Sequence, residues 1–238
     1  MEPTYRKVAS AIAARIIDRS LTRGMPLPPE LELAAQFGVN RSTVREALRE
    51  LESGGLVSRA KGTKRMVVAE PGGDALAERV SQALVLSDVT VEQVWEALMV
   101  LEPPAAVAAA ERRTDVDLGR IAAAVERFRR DNADSERAMS AVADFFSAVA
   151  GAAQNPVLAL AQAPALQVLT SSLALLIDRI PQARQRVMTA QQRILEAITA
   201  QDATEAQLWM ERHIRDFRRG FLIAGIDLSY RVSIDAVR

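Results

Sequence analysis

The chain has 238 residues, 30 basic and 30 acidic side chains, one histidine and no cysteine. The length is comfortable for two domains. The lack of cysteine excludes a disulfide framework and a zinc–thiolate site. No stretch approaches the roughly 18 uninterrupted apolar residues of a membrane span, and Met1–Ser10 lacks the apolar run of a signal peptide. The cytoplasm is therefore the expected location. The charge is uneven: residues 1–70 carry 12 Lys and Arg against 8 Asp and Glu, and residues 71–238 carry 18 against 22. A basic module joined to an acidic one suits a nucleic-acid-binding head on a larger body.

Taken in chain order, Val8, Ile12 and Ile16 recur every four residues and predict a helix over residues 5–19. Arg23-Gly24-Met25-Pro26 breaks it. A second helix opens at Pro28-Pro29, with Pro29 at its first position, acids at Glu30 and Glu32, and Gly38 as its stop. Leu33 and Phe37 supply its buried face. Asn40 is placed to cap a third helix over 41–53, whose apolar stripe is Val44, Leu48 and Leu51. Gly54-Gly55 ends it, and short strands at 56–59 and 65–69 flank a turn at 60–63. This order is that of a winged helix-turn-helix.

Glu70-Pro71-Gly72-Gly73 reads as a linker, dividing the chain into domains 1–70 and 71–238. Beyond it, helices are expected near 74–86, 91–110, 116–132, 135–152, 156–178, 182–200 and 203–225. Pro103, Pro156, Pro164 and Pro181 mark kinks or starts. The tail from Ile226 receives no element. The fold class is thus mainly α, a winged head followed by an all-α bundle.

A recognition helix presents its first turns to the major groove. Asn40, Arg41, Ser42 and Thr43 hold that position, and Arg41, Arg45 and Arg49 share one helical face opposite the apolar stripe. Arginine can grip guanine or phosphate with two parallel donors. Ser42 and Thr43 can reach bases or phosphates. Lys61, beside Gly62 at the hairpin tip, is placed to enter a neighbouring groove. A solvated helix face is the alternative. The helix-turn-helix spacing and the basic hairpin together favour double-stranded DNA. Two-fold placement of recognition helices then predicts a homodimer on a short palindrome, with the helical domain supplying most of the interface.

The segment LPPELELAAQFGVNRSTVREALRELESGGLV resembles the signature of the GntR family of bacterial regulators. The resemblance implies operator contacts from Arg41 and Arg45, helped by Asn40, Ser42, Thr43, Lys61 and Gly62. The family usually carries an arginine in the second helix where this chain has Leu31, so that contact is expected to be missing. VEQVWEALMVLEPPAAVAAAER, DFFSAVAGAAQNPVL and QQRILEAITAQDATEAQLWMERHI resemble the all-helical effector (FCD-type) domain of the FadR subfamily.

Many members of that subfamily hold a divalent metal with one aspartate and three histidines. Matched residue by residue, the aspartate position falls on Val142, the first histidine on Phe146 and the second on Gln191, while the third is retained as His213. The arginine common in the opening helix falls on Leu98. One histidine and one glutamine do not make a first shell for zinc or nickel, so no metal cofactor is expected. If these faces converge, they enclose an apolar effector pocket of Leu98, Val142, Phe146, Gln191 and His213. A plain packed core is the alternative.

Such a pocket suits a lipid-like or aromatic ligand such as a long-chain acyl-CoA, as the FadR resemblance implies. The chain is read as a regulator, most simply a ligand-responsive repressor. A constitutive regulator whose helical domain only dimerises, and a carboxylate-responsive one, remain alternatives. An enzyme with a DNA-binding appendage finds no support, because the sequence offers no nucleophile–base pair, phosphate loop or metal cluster.

Overall fold

The computed structural model describes residues 3–60, 65–69 and 73–232. The chain forms two compact units, Met1–Ala75 and Leu76–Arg238. Among the described residues there are ten helices and one two-stranded sheet, so the protein is mainly α.

The first unit contains α1 (Thr4–Ile17), α2 (Glu30–Phe37), α3 (Arg41–Ser53), β1 (Val57–Arg59) and β2 (Met66–Val68). Gly38 ends α2 with φ 63°, a left-handed conformation that glycine adopts without strain. Asn40 then starts α3 by accepting a hydrogen bond from the Thr43 backbone N–H. Pro29 sits one position earlier than its residue type suggested. Its ψ of 151° is extended, which makes it the N-cap rather than the first helical residue.

Val44, Ala47, Leu48 and Leu51 of α3 bury against Val8, Ile12 and Leu33, with Val57 and Val68 closing the core from the sheet. The strands run antiparallel, Val57 opposite Val68. The segment after α1, expected only to break a helix, also pairs with β2. Gly24 N–H donates to Val68 O, Val68 N–H to Met25 O and Leu27 N–H to Met66 O. These bonds cover backbone groups that the outer strand would otherwise leave bare.

The second unit is built from most of α4 (Gly73–Leu86), with α5 (Val91–Arg112), α6 (Asp115–Asp131), α7 (Ser135–Ala152), α8 (Pro156–Arg179), α9 (Pro181–Thr199) and α10 (Ala203–Ile223). Polar caps set most of the starts. Thr90 with Gln93 and Thr114 with Asp117 form reciprocal capping boxes, and Asp134 and Asp202 each accept a backbone N–H from the first turn. Pro181 opens α9, where its missing N–H costs nothing. Pro103, Pro104 and Pro164 lie inside helices.

Helix α10 packs along α5 and α9, α6 along α7, and α7 along α8. Their shared interior holds Leu98, Phe128, Phe145, Phe146, Ile194, Met210 and Ile214. Residues 226–232, assigned no element from sequence, fasten onto the start of α5. Val91 N–H donates to Tyr230 O at 3.0 Å, Glu92 N–H to Leu228 O at 3.1 Å, and Val232 N–H to Val89 O at 2.9 Å.

Candidate nucleic-acid interface and ligand site

The start of α3 is organised around one side-chain oxygen. Asn40 Oδ1 accepts the Thr43 N–H at 2.9 Å, the Ser42 hydroxyl at 2.7 Å and the Thr43 hydroxyl at 2.9 Å. Both hydroxyl protons are therefore turned toward the cap. Donating to a phosphate would require each hydroxyl to rotate away, which is a small motion for an exposed rotor.

Along the same helix Arg41, Arg45 and Arg49 are all exposed. Arg45 donates through Nε and Nη2 to the two carboxylate oxygens of Glu30 at 3.3 and 3.1 Å, and Arg41 Nη2 lies 3.6 Å from the same carboxylate. The hydrogen bond from Arg45 is the main reason the Glu30 carboxyl titrates below its ordinary range. Glu30 thus holds the guanidinium fork of Arg45 in the bidentate manner that a guanine edge or a phosphate would use.

Arg49 makes no ion pair among the described residues. Lys61 and Gly62 lie outside them. Leu31 is 68% exposed, so this position of α2 faces solvent. The Glu30 clamp escaped the sequence reading, which took that acid only as favourable to a helix start. A separation of 15 residues gave no local signal of the pairing.

In the helical unit Leu98, Val142, Phe146, Gln191 and His213 come from α5, α7, α9 and α10, and every one is fully buried. The Phe146 ring lies parallel to the imidazole of His213, with centroids 5.4 Å apart and planes at 2°. Phe217 is 4.7 Å from the same ring, and Phe145 meets it edge-on. A slot of about 30 Å³ beside this stack is lined in part by Val142 and Phe217.

Three buried polar side chains have no hydrogen-bond partner among the described residues: Glu102 at both oxygens, Gln191 at both amide atoms and His213 at both ring nitrogens. Burial pushes the Glu102 carboxyl up to about 8 and the His213 imidazole down to about 3, so both are neutral near pH 7. Glu102 was missed as a site residue because its charge reads as a break in an apolar run. The available clue was its position four residues after Leu98, on the same inward face of α5.

The metal arrangement implied by the resemblance can be tested against these atoms. Val142 and Phe146 have no donor atom, and the phenyl ring of Phe146 covers one face of His213. Among the described residues no group of three or more His, Asp or Glu could hold an ion. The residues present do not fit the metal.

Comparison with known proteins decides the ancestry of both units. Residues 4–67 match the model of the bacterial regulatory proteins of the gntR family, and residues 93–216 match that of the FCD domain. The chain belongs to the GntR family of bacterial regulatory proteins. This GntR protein is 31% identical over 193 residues to the HTH-type transcriptional regulator LutR of Bacillus subtilis, covering 76% of this chain and 84% of that one. It is 30% identical to the putative L-lactate dehydrogenase operon regulatory protein of Escherichia coli, over 87% and 82% of the two chains. It is 28% identical to the galactonate operon transcriptional repressor of the same organism, over 64% and 68%.

A solved GntR structure from Streptococcus agalactiae shares the fold, with a TM-score of 0.66, 24% identity, and coverage of 90% of this chain and 99% of that one. This GntR protein is accordingly a DNA-binding transcription regulator and not an enzyme. Among the described residues no helix is long and apolar enough to cross a membrane.

Proposed function

We propose that this GntR protein is a cytoplasmic, FadR-type repressor that binds a short palindromic operator as a homodimer and responds, without a metal, to a small molecule with a largely apolar body. The reading rests first on Arg41 and Arg45, gathered at the exposed start of α3 and held ready by Glu30. On the operator, phosphate or guanine acceptors replace Glu30, and Arg49 and the wing residues Lys61 and Gly62 add contacts on the flanks. The word repressor in the name of the galactonate regulator supports the direction of control. Aromatic packing around His213 supports an apolar effector body, a lipid-like or aromatic compound or an acyl-CoA.

Selection of operators from a random duplex library, followed by gel shift, tests this reading. Recovery of a palindrome that loses affinity for the Arg41→Ala, Arg45→Ala double variant is expected. Unselective binding, or a monomer on DNA by ultracentrifugation, overturns it.

One observation favours a second reading, a constitutive regulator whose helical unit only dimerises. The Phe146 and His213 rings stack on one another and both side chains are fully buried. A thermal-shift screen separates the two, since a ligand that binds only the native state raises its melting temperature.

A further inference from the structure

The small slot beside Val142 has a neighbour. Its lining includes Met139, Leu173, Val187 and Phe217, all apolar, together with Arg186 and Asp216. An open groove of about 180 Å³ between α9 and α10 is lined by Gln185, Thr189, Trp209 and Arg212, and again by Arg186 and Asp216. One ion pair therefore borders both an apolar slot and a groove on the surface.

That pair is loose. Arg186 Nε is 3.9 Å from Asp216 Oδ1, beyond hydrogen-bond reach, and this Nε is buried with no hydrogen-bond partner among the described residues. A further cation lines the groove, since Arg212 stands 4.9 Å over the Trp209 ring.

We infer that Arg186 is the head-group anchor of the effector site, that the α9–α10 groove is its port, and that the effector is a monocarboxylate with an aliphatic or aromatic body. The inference rests on the ligand-responsive reading and names its ligand class. A guanidinium offers two parallel donors matched to a carboxylate, and Arg186 has a donor left over. The ligand's carboxylate takes the guanidinium fork that Asp216 leaves without a hydrogen bond, while its apolar body enters past Val142 and Phe217. Phe217 is itself packed on His213. Opening the slot therefore shifts the aromatic stack on α10, the helix that packs along α5 and α9. The slot is too small for the body as it stands, so entry requires Phe217 or Val187 to change rotamer.

The partners of the pair make predictions of opposite sign. Calorimetry and thermal shift on the full chain would use octanoate and 3-phenylpropanoate, with octanamide, 3-phenylpropanamide and L-lactate as controls. At least one of the two apolar acids should raise the melting temperature, whereas its amide and lactate should not. Arg186→Ala should weaken that acid about tenfold or more, the usual effect of losing a charged hydrogen bond, and Arg186→Lys should recover part of it. Asp216→Asn removes the competing carboxylate and should tighten binding. A purely structural ion pair would instead make both variants worse.

Equal binding of acid and amide overturns the proposal. So does unchanged affinity in Arg186→Ala, weaker binding in Asp216→Asn, or no response to either acid. Should lactate or an acyl-CoA bind with Arg186 irrelevant, the port is wrong while the ligand-responsive regulator stands. Loss of operator selectivity in the parallel gel shift strikes the regulator reading alone.

Discussion

The two units treat their polar side chains in opposite ways. In the head, Asn40, Ser42, Thr43, Glu30, Arg41 and Arg45 lie at or near the surface and are already paired with one another. In the helical unit, Glu102, Gln191 and His213 are fully buried and paired with nothing described. Exchange of partners at a surface costs little, because water covers each group during the change. A buried unpaired group carries its desolvation cost permanently. The head is thus arranged for rapid substitution of one partner by another. The interior keeps groups whose cost must be offset by packing or by something that binds them.

The comparison can be broken most severely at α3. Removing Arg41 and Arg45 together should weaken operator binding more than either single change, each being worth about 1–3 kcal/mol. Fluorescence anisotropy on a selected duplex measures this, and a double variant that binds like the wild type would end the assignment of α3 as the reading helix.

The next effect belongs to the interior. Glu102 is raised from 4.5 to about 8, so between those values the folded protein holds a proton that the unfolded chain sheds, and stability falls as pH rises. His213 is lowered from 6.5 to about 3, so between those values the unfolded chain takes a proton that the folded protein refuses, and stability falls as pH drops. The two slopes oppose one another between 4.5 and 6.5. The alkaline limb from 6.5 to 8 belongs to Glu102 alone, with a slope of up to about 1.4 kcal/mol per pH unit. Urea unfolding at both ends should show this loss in the wild type and its absence in Glu102→Gln. Equal pH dependence in the two proteins would rule out a buried neutral carboxyl.

A smaller effect sharpens the account of the head. Leu31→Arg places a cation on the exposed side of α2 and should strengthen DNA binding by about 1 kcal/mol while steepening the salt dependence by roughly one counterion. The smallest effect expected is none. Prolonged chelation should leave the melting temperature unchanged, because Val142 and Phe146 supply no donor. A fall on chelation, reversed by zinc or nickel, would show that the residue matching around His213 is wrong.

Local chemistry made the fold legible. The bounds of α3 could be read because Asn40 and Gly54 are both strong punctuation, whereas α7 has such a mark only at its start, where Asp134 caps it. Pro29 was one position out because proline suits both the N-cap and the first turn. The pairing of residues 24–27 with β2 was invisible, since it depends on backbone groups that carry no sequence signature.

The sites divided in the same way. Arg41, Arg45 and Arg49 share a face that periodicity alone defines. Glu30 with Arg45, and Arg186 with Asp216, meet only through helix packing. Glu102 shows the sharpest limit, since charge suggested exposure while its place after Leu98 on α5 buries it.

The fastening of residues 228–232 onto the start of α5 bears on how the protein is made. The N–H groups of Val91 and Glu92 leave the ribosome early, whereas their acceptors, Tyr230 and Leu228, are among the last of the described residues to be translated. At about 5–20 residues per second, the first turn of α5 waits on the order of ten seconds for them. Throughout synthesis the helical unit stays open along this edge, while the head, whose contacts are all nearby in the chain, has everything it needs to fold. A nascent chain of this protein is therefore a finished DNA-binding module trailing an unfinished bundle.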